Sequence, residues 1–289
     1  MEIFGEGIVN TPGDFGMQGA LPSHPELLDW LAVDFRENGW DMKYLVKQIV
    51  MSSTYRQSSQ VKEPSLYKDP DNIYLSRFPR NRLSAEQIRD LVLSSSGLLV
   101  DEIGGPSVKP YQPEGLWEAA TSGRGNLASY KQDSGSKLYR RGLYTFIKRT
   151  VPPPTMILFD ASNRDECEVV RESTNTPLQA LLMMNDPMVL EASRVLAGRL
   201  LKEIQEESAQ VGKAFMLILG REMDKEEEEV LMQYYMEQKA YHKAHLTEAR
   251  QLLDVGEYPM EQGLEVEEWA ALMQVIQAMY NLEETIMKS

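Results

Sequence analysis

Cysteine is almost missing from this chain. Cys167 stands alone among 289 residues, which excludes an intrachain disulfide and any metal site built from several thiolates. Histidine is also scarce, with His24, His242 and His245 the whole supply. No apolar run approaches the roughly 20 residues that a membrane-spanning helix needs, so no membrane span is expected. Positive charge is in deficit: 30 Lys+Arg face 44 Asp+Glu, a net of −14 with a pI near 4.8. That balance argues against a general binder of DNA or RNA, and no nucleic-acid partner is expected. No repeat of fixed period is visible. What remains is an ordinary globular composition, 42% hydrophobic and 26% charged, long enough to bury a substantial core.

The acidity is uneven. Residues 201–289 hold 8 Lys+Arg against 19 Asp+Glu, whereas residues 1–200 hold 22 against 25. The run Glu226 to Glu229 reads as a solvated helix face near an N-terminus, where the helix dipole favours carboxylates. The first residues carry no basic stretch followed by an apolar one, so no export signal is read there. Ile3, Phe4, Ile8 and Val9 resemble the tail of an element already under way, and the expectation is a piece of a longer polypeptide with any export signal upstream.

Helix signals dominate the pattern. Ser23-His24-Pro25-Glu26 predicts a capped helix start, with Ser23 as cap and Glu26 as its capping-box partner, followed by apolar residues to about Asn38. Asp41 predicts the cap of a second helix, the two forming a hairpin through Gly39-Trp40. Ser84 to Gln87 predicts another capping box, and Thr176-Pro177-Leu178-Gln179 a further helix start, with Asn185-Asp186-Pro187 ending that helix and beginning the next. Helices ending at Gly220, following Asp224, and running through Val266, Trp269, Met273, Ile276 and Tyr280 complete the series. Residues 101–137, rich in Gly, Pro and Ser, read as a long connection of the kind that is more often functional or disordered than neutral. The aromatic and β-branched content of Tyr139 to Thr150 predicts a strand, Met156 to Phe159 a short turn or strand, and Cys167 to Arg171 another strand. The expected fold is mainly α, an irregular helical domain with long loops and a small central β element. It is read as one family domain over 1–289, loop-rich over 1–172 and helical over 173–289.

Ordered blocks of the sequence carry a family likeness. They are Phe4 to Val9, Pro22 to Asp29, Thr54 to Gln57, Arg82 to Asp90 (RLSAEQIRD), Gly105 to Val108, and a rich stretch from Tyr139-Arg140-Arg141 through Phe159-Asp160-Ala161 to Asn185-Asp186-Pro187. Together they resemble the C-terminal domain of unknown function of planctomycete-type cytochrome c multidomain proteins. The resemblance implies an exported polypeptide, periplasmic or on the cell surface, with a c-type haem on an upstream domain. It also implies a genomic association with polysaccharide breakdown. No Cys-x-x-Cys-His occurs here, so no cofactor is expected in this chain itself. The family supplies no catalytic residues to carry over.

Three functional readings stay open. Lys137, Arg140, Arg141, Lys148 and Arg149 lie together in sequence without an acidic residue, flanked by Arg80 and Arg82 before them and by Arg164 and Arg171 after. Aromatic residues are interleaved, and Asn175 opens the Thr176 helix start. Arginine forks beside aromatic rings suit an anionic or sugar ligand. The bland alternative is a structural network in which Glu86, Asp90, Asp160 and Asp165 neutralise the same arginines. The second reading is a docking module for the haem domain or a neighbouring protein, through the acidic helices. The third is an enzyme using Asp14, His24 and Asp160. No metal site is expected: His242 and His245, three apart on an acidic helix, lack further ligands in register. Cys167, between carboxylates that raise a thiol pKa, is expected to be buried and inert.

Overall fold

A computed structural model describes residues 1–288 except 62, 122, 123, 126, 163, 165 and 166, with the side chains of 64–66 also outside it. The chain forms two compact units. The first comprises Met1–Arg82 with Glu168–Val170 and Met287–Ser289; the second comprises Leu83–Cys167 and Arg171–Ile286.

In the first unit, helices α1 (Pro25–Glu37), α2 (Met42–Val50) and α3 (Glu63–Lys68) accompany a two-residue strand β1 (Asn81–Arg82) paired antiparallel with β2 (Met287–Lys288). Phe4, Tyr55 and Phe78 pack ring against ring at 5.4–6.1 Å between centroids, and the Lys288 ammonium lies 5.0 Å from the Tyr55 ring. Gly5 has φ +78°, and any side chain there would strike Asn81. Asp41 caps α2 as its position predicts, accepting from the Lys43 and Tyr44 amides. The cap of α1 differs from expectation. It is His24, with no side-chain cap bond, because the Ser23 hydroxyl is turned to the Ile8 carbonyl 3.3 Å away. Neither α1 nor α2 buries a single residue.

The second unit is built on α12 (Val266–Tyr280), a helix apolar on nearly every side and therefore central rather than peripheral. Around it lie α4 (Ala85–Ser96), α8 (Pro187–Glu203), α9 (Glu207–Leu219), α10 (Lys225–Ala244) and α11 (Leu246–Leu253), with the shorter α5 (Leu116–Thr121), α6 (Pro154–Leu158) and α7 (Pro177–Asn185). Packing is close: Gly198 faces the Trp269 indole, where an added Cβ would sit 3.1 Å from the ring, and Trp269 Nε1 donates to the Arg194 carbonyl at 2.8 Å. The Ser84–Gln87 capping box opens α4, and Gly97 in the left-handed region closes it. Gln179 Oε1 accepts the Thr176 amide at the start of α7, and Asp186 caps α8 directly after α7 ends.

The protein is mainly α with a small β element, as the sequence predicts, but that element is not central in the chain. It joins residues 81–82 to 287–288. Tyr139 to Thr150 forms no regular strand. It follows one 3₁₀ turn, Gly135–Tyr139, and contains another, Gly142–Tyr144, with isolated bridges such as Val108 to Thr145. The physical reason is tertiary: Gly142 lies against the α4 backbone, where a Cβ would fall 2.8 Å from the Glu86 Cα, and Asp90 takes its amide at 2.6 Å. The 156–159 segment is the end of helix α6, and 167–171 holds no strand.

Candidate functional site

Helix α4 exposes the logic of the site. Its buried side reads Ala85, Ile88, Arg89, Val92, Leu93 and Ser96, so a guanidinium stands in an apolar stripe. Arg89 is 8% exposed. Its Nη2 donates to the Leu138 carbonyl and its Nε to the Arg140 carbonyl, at 2.5 and 3.4 Å, fixing the plane of the fork. Nη1 makes no hydrogen bond to the described residues. At the start of α8, Asp186 is equally buried; its Oδ1 accepts the Met188 amide at 2.9 Å.

Arg89 and Asp186 line one cavity of about 40 Å³, together with Tyr111, Thr145, Thr155 and the apolar side chains of Ile88, Met156, Phe159, Met183 and Val189. No salt-bridge contact joins the two charges. Burial pushes the Asp186 carboxyl above the ordinary carboxylate range, and burial lowers the Arg89 guanidinium while Asp186 and Asp90 oppose that shift. Thr145 is 7% exposed and its Oγ1 has no hydrogen-bond partner among the described residues. By the same measure of volume a water needs roughly 10–15 Å³, so the space suits about three waters or the polar end of a ligand. A buried donor, a buried acceptor and a free hydroxyl converge on it between apolar walls, the usual make-up of a small-molecule site.

The residues singled out from sequence fall elsewhere. Arg140 is 4% exposed and points to the 102–106 loop, donating to the carbonyls of Glu102, Gly104 and Pro106 while stacking 3.8 Å from the Tyr144 ring centroid. Arg141 turns the other way, to Asp101 at 2.8 Å and Asp90 at 3.6 Å. Arg171 pairs with Glu86 at 2.8 Å. Lys148 donates to the Leu127 carbonyl at 2.7 Å and lies 4.4 Å from the Trp117 ring centroid. Arg149, Arg164 and Asn175 are exposed, Arg164 with φ 62°. Arg80 and Arg82 belong to the first unit. Within the second unit the cations thus diverge, and the pairing of Glu86 and Asp90 with arginines follows the network alternative; Asp165 lies outside the described residues.

Asp160 accepts the Thr174 amide and hydroxyl at 2.7–3.0 Å, a loop clasp ahead of α7. Asp14 accepts the Gly16 amide at 2.7 Å and is exposed, and His24 Nδ1 meets the Ser23 hydroxyl at 2.9 Å. Asp14 and His24 belong to the first unit and Asp160 to the second. His242 is buried against Gln274 and meets the edge of Tyr241, on whose ring His245 stacks. Cys167 is exposed, against expectation, because no helix or strand carries it into the core; the flanking carboxylates at 165 and 166 lie outside the described residues.

Arg89 had a legible signal that sequence reading passed over: a charged residue four after Ala85 and three before Val92, inside the apolar stripe. Asp186 reads from sequence as the junction that ends one helix and begins the next, with no sign of a site. Thr145 was hidden in the misassigned strand. All three nonetheless lie inside the blocks that carried the family likeness.

A family model described as "PSD1: Protein of unknown function (DUF1553)" matches residues 1–235. No curated protein and no solved structure matches the chain. The chain belongs to this family, the planctomycete cytochrome c-associated domain of unknown function.

Proposed function

We propose that this DUF1553 chain is a binding module that receives one end of a small hydroxylated ligand, of the carbohydrate class, in the Arg89–Asp186 cavity. One observation carries the reading: a buried guanidinium and a buried carboxylate line the same partly open space without touching each other. Two opposite charges withdrawn from water attract strongly and are stabilised best in direct contact. A gap between them is a place for a group that both donates and accepts hydrogen bonds, as hydroxyls do.

The reading keeps the expected ligand class and moves the site. The setting proposed with it is an exported polypeptide, periplasmic or at the cell surface, working beside a c-type haem domain in carbohydrate breakdown; the resemblance of its sequence blocks is what suggests that setting. Calorimetric titration of the chain with a panel of monosaccharides and small organic acids tests the binding. Saturable heats that disappear in Arg89→Lys, with the helical circular-dichroism signal of the variant retained, are expected. Silence across the whole panel sinks the reading.

A further inference from the structure

We infer that the group held between Arg89 and Asp186 is a neutral vicinal diol, and that the site rejects carboxylates and sulfates. This rests on the binding reading above and sharpens it. The argument is one of charge. The cavity already holds one cation and one anion, so its sum is zero, and the nearby Asp90 is occupied by Arg141 and the Gly142 amide. An incoming anion would compete with Asp186 for the same guanidinium and bring a second negative charge into an apolar-walled space, where like charges repel with little screening.

A diol meets every requirement the lining sets. Its first hydroxyl accepts from Arg89 Nη1 and donates to the Asp186 carboxylate. Its second hydroxyl pairs with Thr145 Oγ1, the buried oxygen that otherwise has no partner among the described residues. The carbon faces of the ligand pack on Ile88, Phe159 and Val189. Ligand hydroxyls matched in this way give strong discrimination, because an analogue lacking one leaves buried polar groups unpaired.

Calorimetry on the full chain decides the matter with five probes: glucose, trans-1,2-cyclohexanediol, cyclohexanol, glucuronate and inorganic sulfate. Glucose and the diol are expected to bind, with cyclohexanol about fivefold weaker, the worth of the one neutral hydrogen bond to Thr145 that it cannot make. Glucuronate and sulfate are expected to give no heat. Thr145→Val should weaken the diol by about fivefold, one neutral hydrogen bond, while its thermal midpoint stays level or rises. Glucuronate or sulfate binding as tightly as glucose overturns the diol assignment and leaves the binding reading standing. An unchanged diol affinity in Thr145→Val overturns the assignment of the second hydroxyl. Failure of all five probes overturns both, and marks the cavity as a site for structural water only.

Discussion

Two buried arginine–carboxylate pairs sit in the same helical unit, both drawing on the first half of α8, and they are built in opposite ways. Glu191 and Arg194, one turn apart, are in contact at 3.9 Å with 0% and 1% exposure. Glu191 Oε1 also accepts the Tyr139 hydroxyl at 3.0 Å and the Tyr258 amide at 2.7 Å, and Arg194 donates to the Tyr258 carbonyl at 2.6 Å. Gly256 closes over the carboxylate so tightly that a Cβ would strike it. Arg89 and Asp186 have the same chemistry and are also buried, but they line one cavity without a salt-bridge contact. The first pair is in contact, although Glu191 Oε2 and Arg194 Nε have no hydrogen-bond partner among the described residues, whereas the second pair makes no such contact and lines a cavity. A closed pair holds structure, and an open one presents two hydrogen-bonding partners to something else.

That contrast can be broken at its strongest point first. Glu191→Ala strands Arg194 in the core and should cost about 3–5 kcal/mol, the usual penalty for breaking a buried pair from one side; chemical denaturation reads it. Arg140→Ala removes the three carbonyl contacts of the 102–106 loop and should cost about 2 kcal/mol, with hydrogen exchange at the Gly104 amide speeding up. Both are structural tests, and neither should abolish ligand heats if the open pair is the site.

The open pair responds to pH in a direction that can be worked out. The Asp186 carboxyl is raised by burial, so the folded state holds its proton more tightly than the unfolded chain does. Stability attributable to this group therefore rises as pH falls from above the raised value towards the ordinary carboxylate value, and Asp186→Asn should lack that gain. Parallel melts of the two proteins across mildly acidic pH check the sign. A steeper acid gain in the variant would contradict the burial argument. Thr145→Val should be level or more stable by up to about 1 kcal/mol, since it replaces an orphaned hydroxyl with a methyl. Arg171→Ala, which breaks a partly exposed pair with Glu86, should change stability by less than about 1 kcal/mol.

Some of this molecule was legible from its residues and some was not, and the division follows interaction range. Local signals read correctly at Asp41 capping α2, Ser84 with Gln87, Asp186 between α7 and α8, and the apolar period of α12, but not at Ser23, whose hydroxyl a longer-range carbonyl takes from the α1 cap. The 139–150 segment misled because its composition favours a strand while the α4 backbone against Gly142 forbids one. Arg140 and Arg141 are neighbours in the chain, yet adjacent side chains of an extended backbone point to opposite faces, and one went to the 102–106 loop and the other to Asp90 and Asp101. Counting charges along the chain could not reveal that divergence.

The sequence by itself determined where most of the long helices begin and end, that the protein is mainly α, and which family it resembles, because caps and periodicity act over a single turn. Tertiary structure alone decided which cations are neutralised and that residues 81–82 meet 287–288. It also decided that Arg89, Thr145 and Asp186 face one cavity. Those outcomes depend on packing between segments far apart in the chain, where burial and distance set the strength of every charge and hydrogen bond.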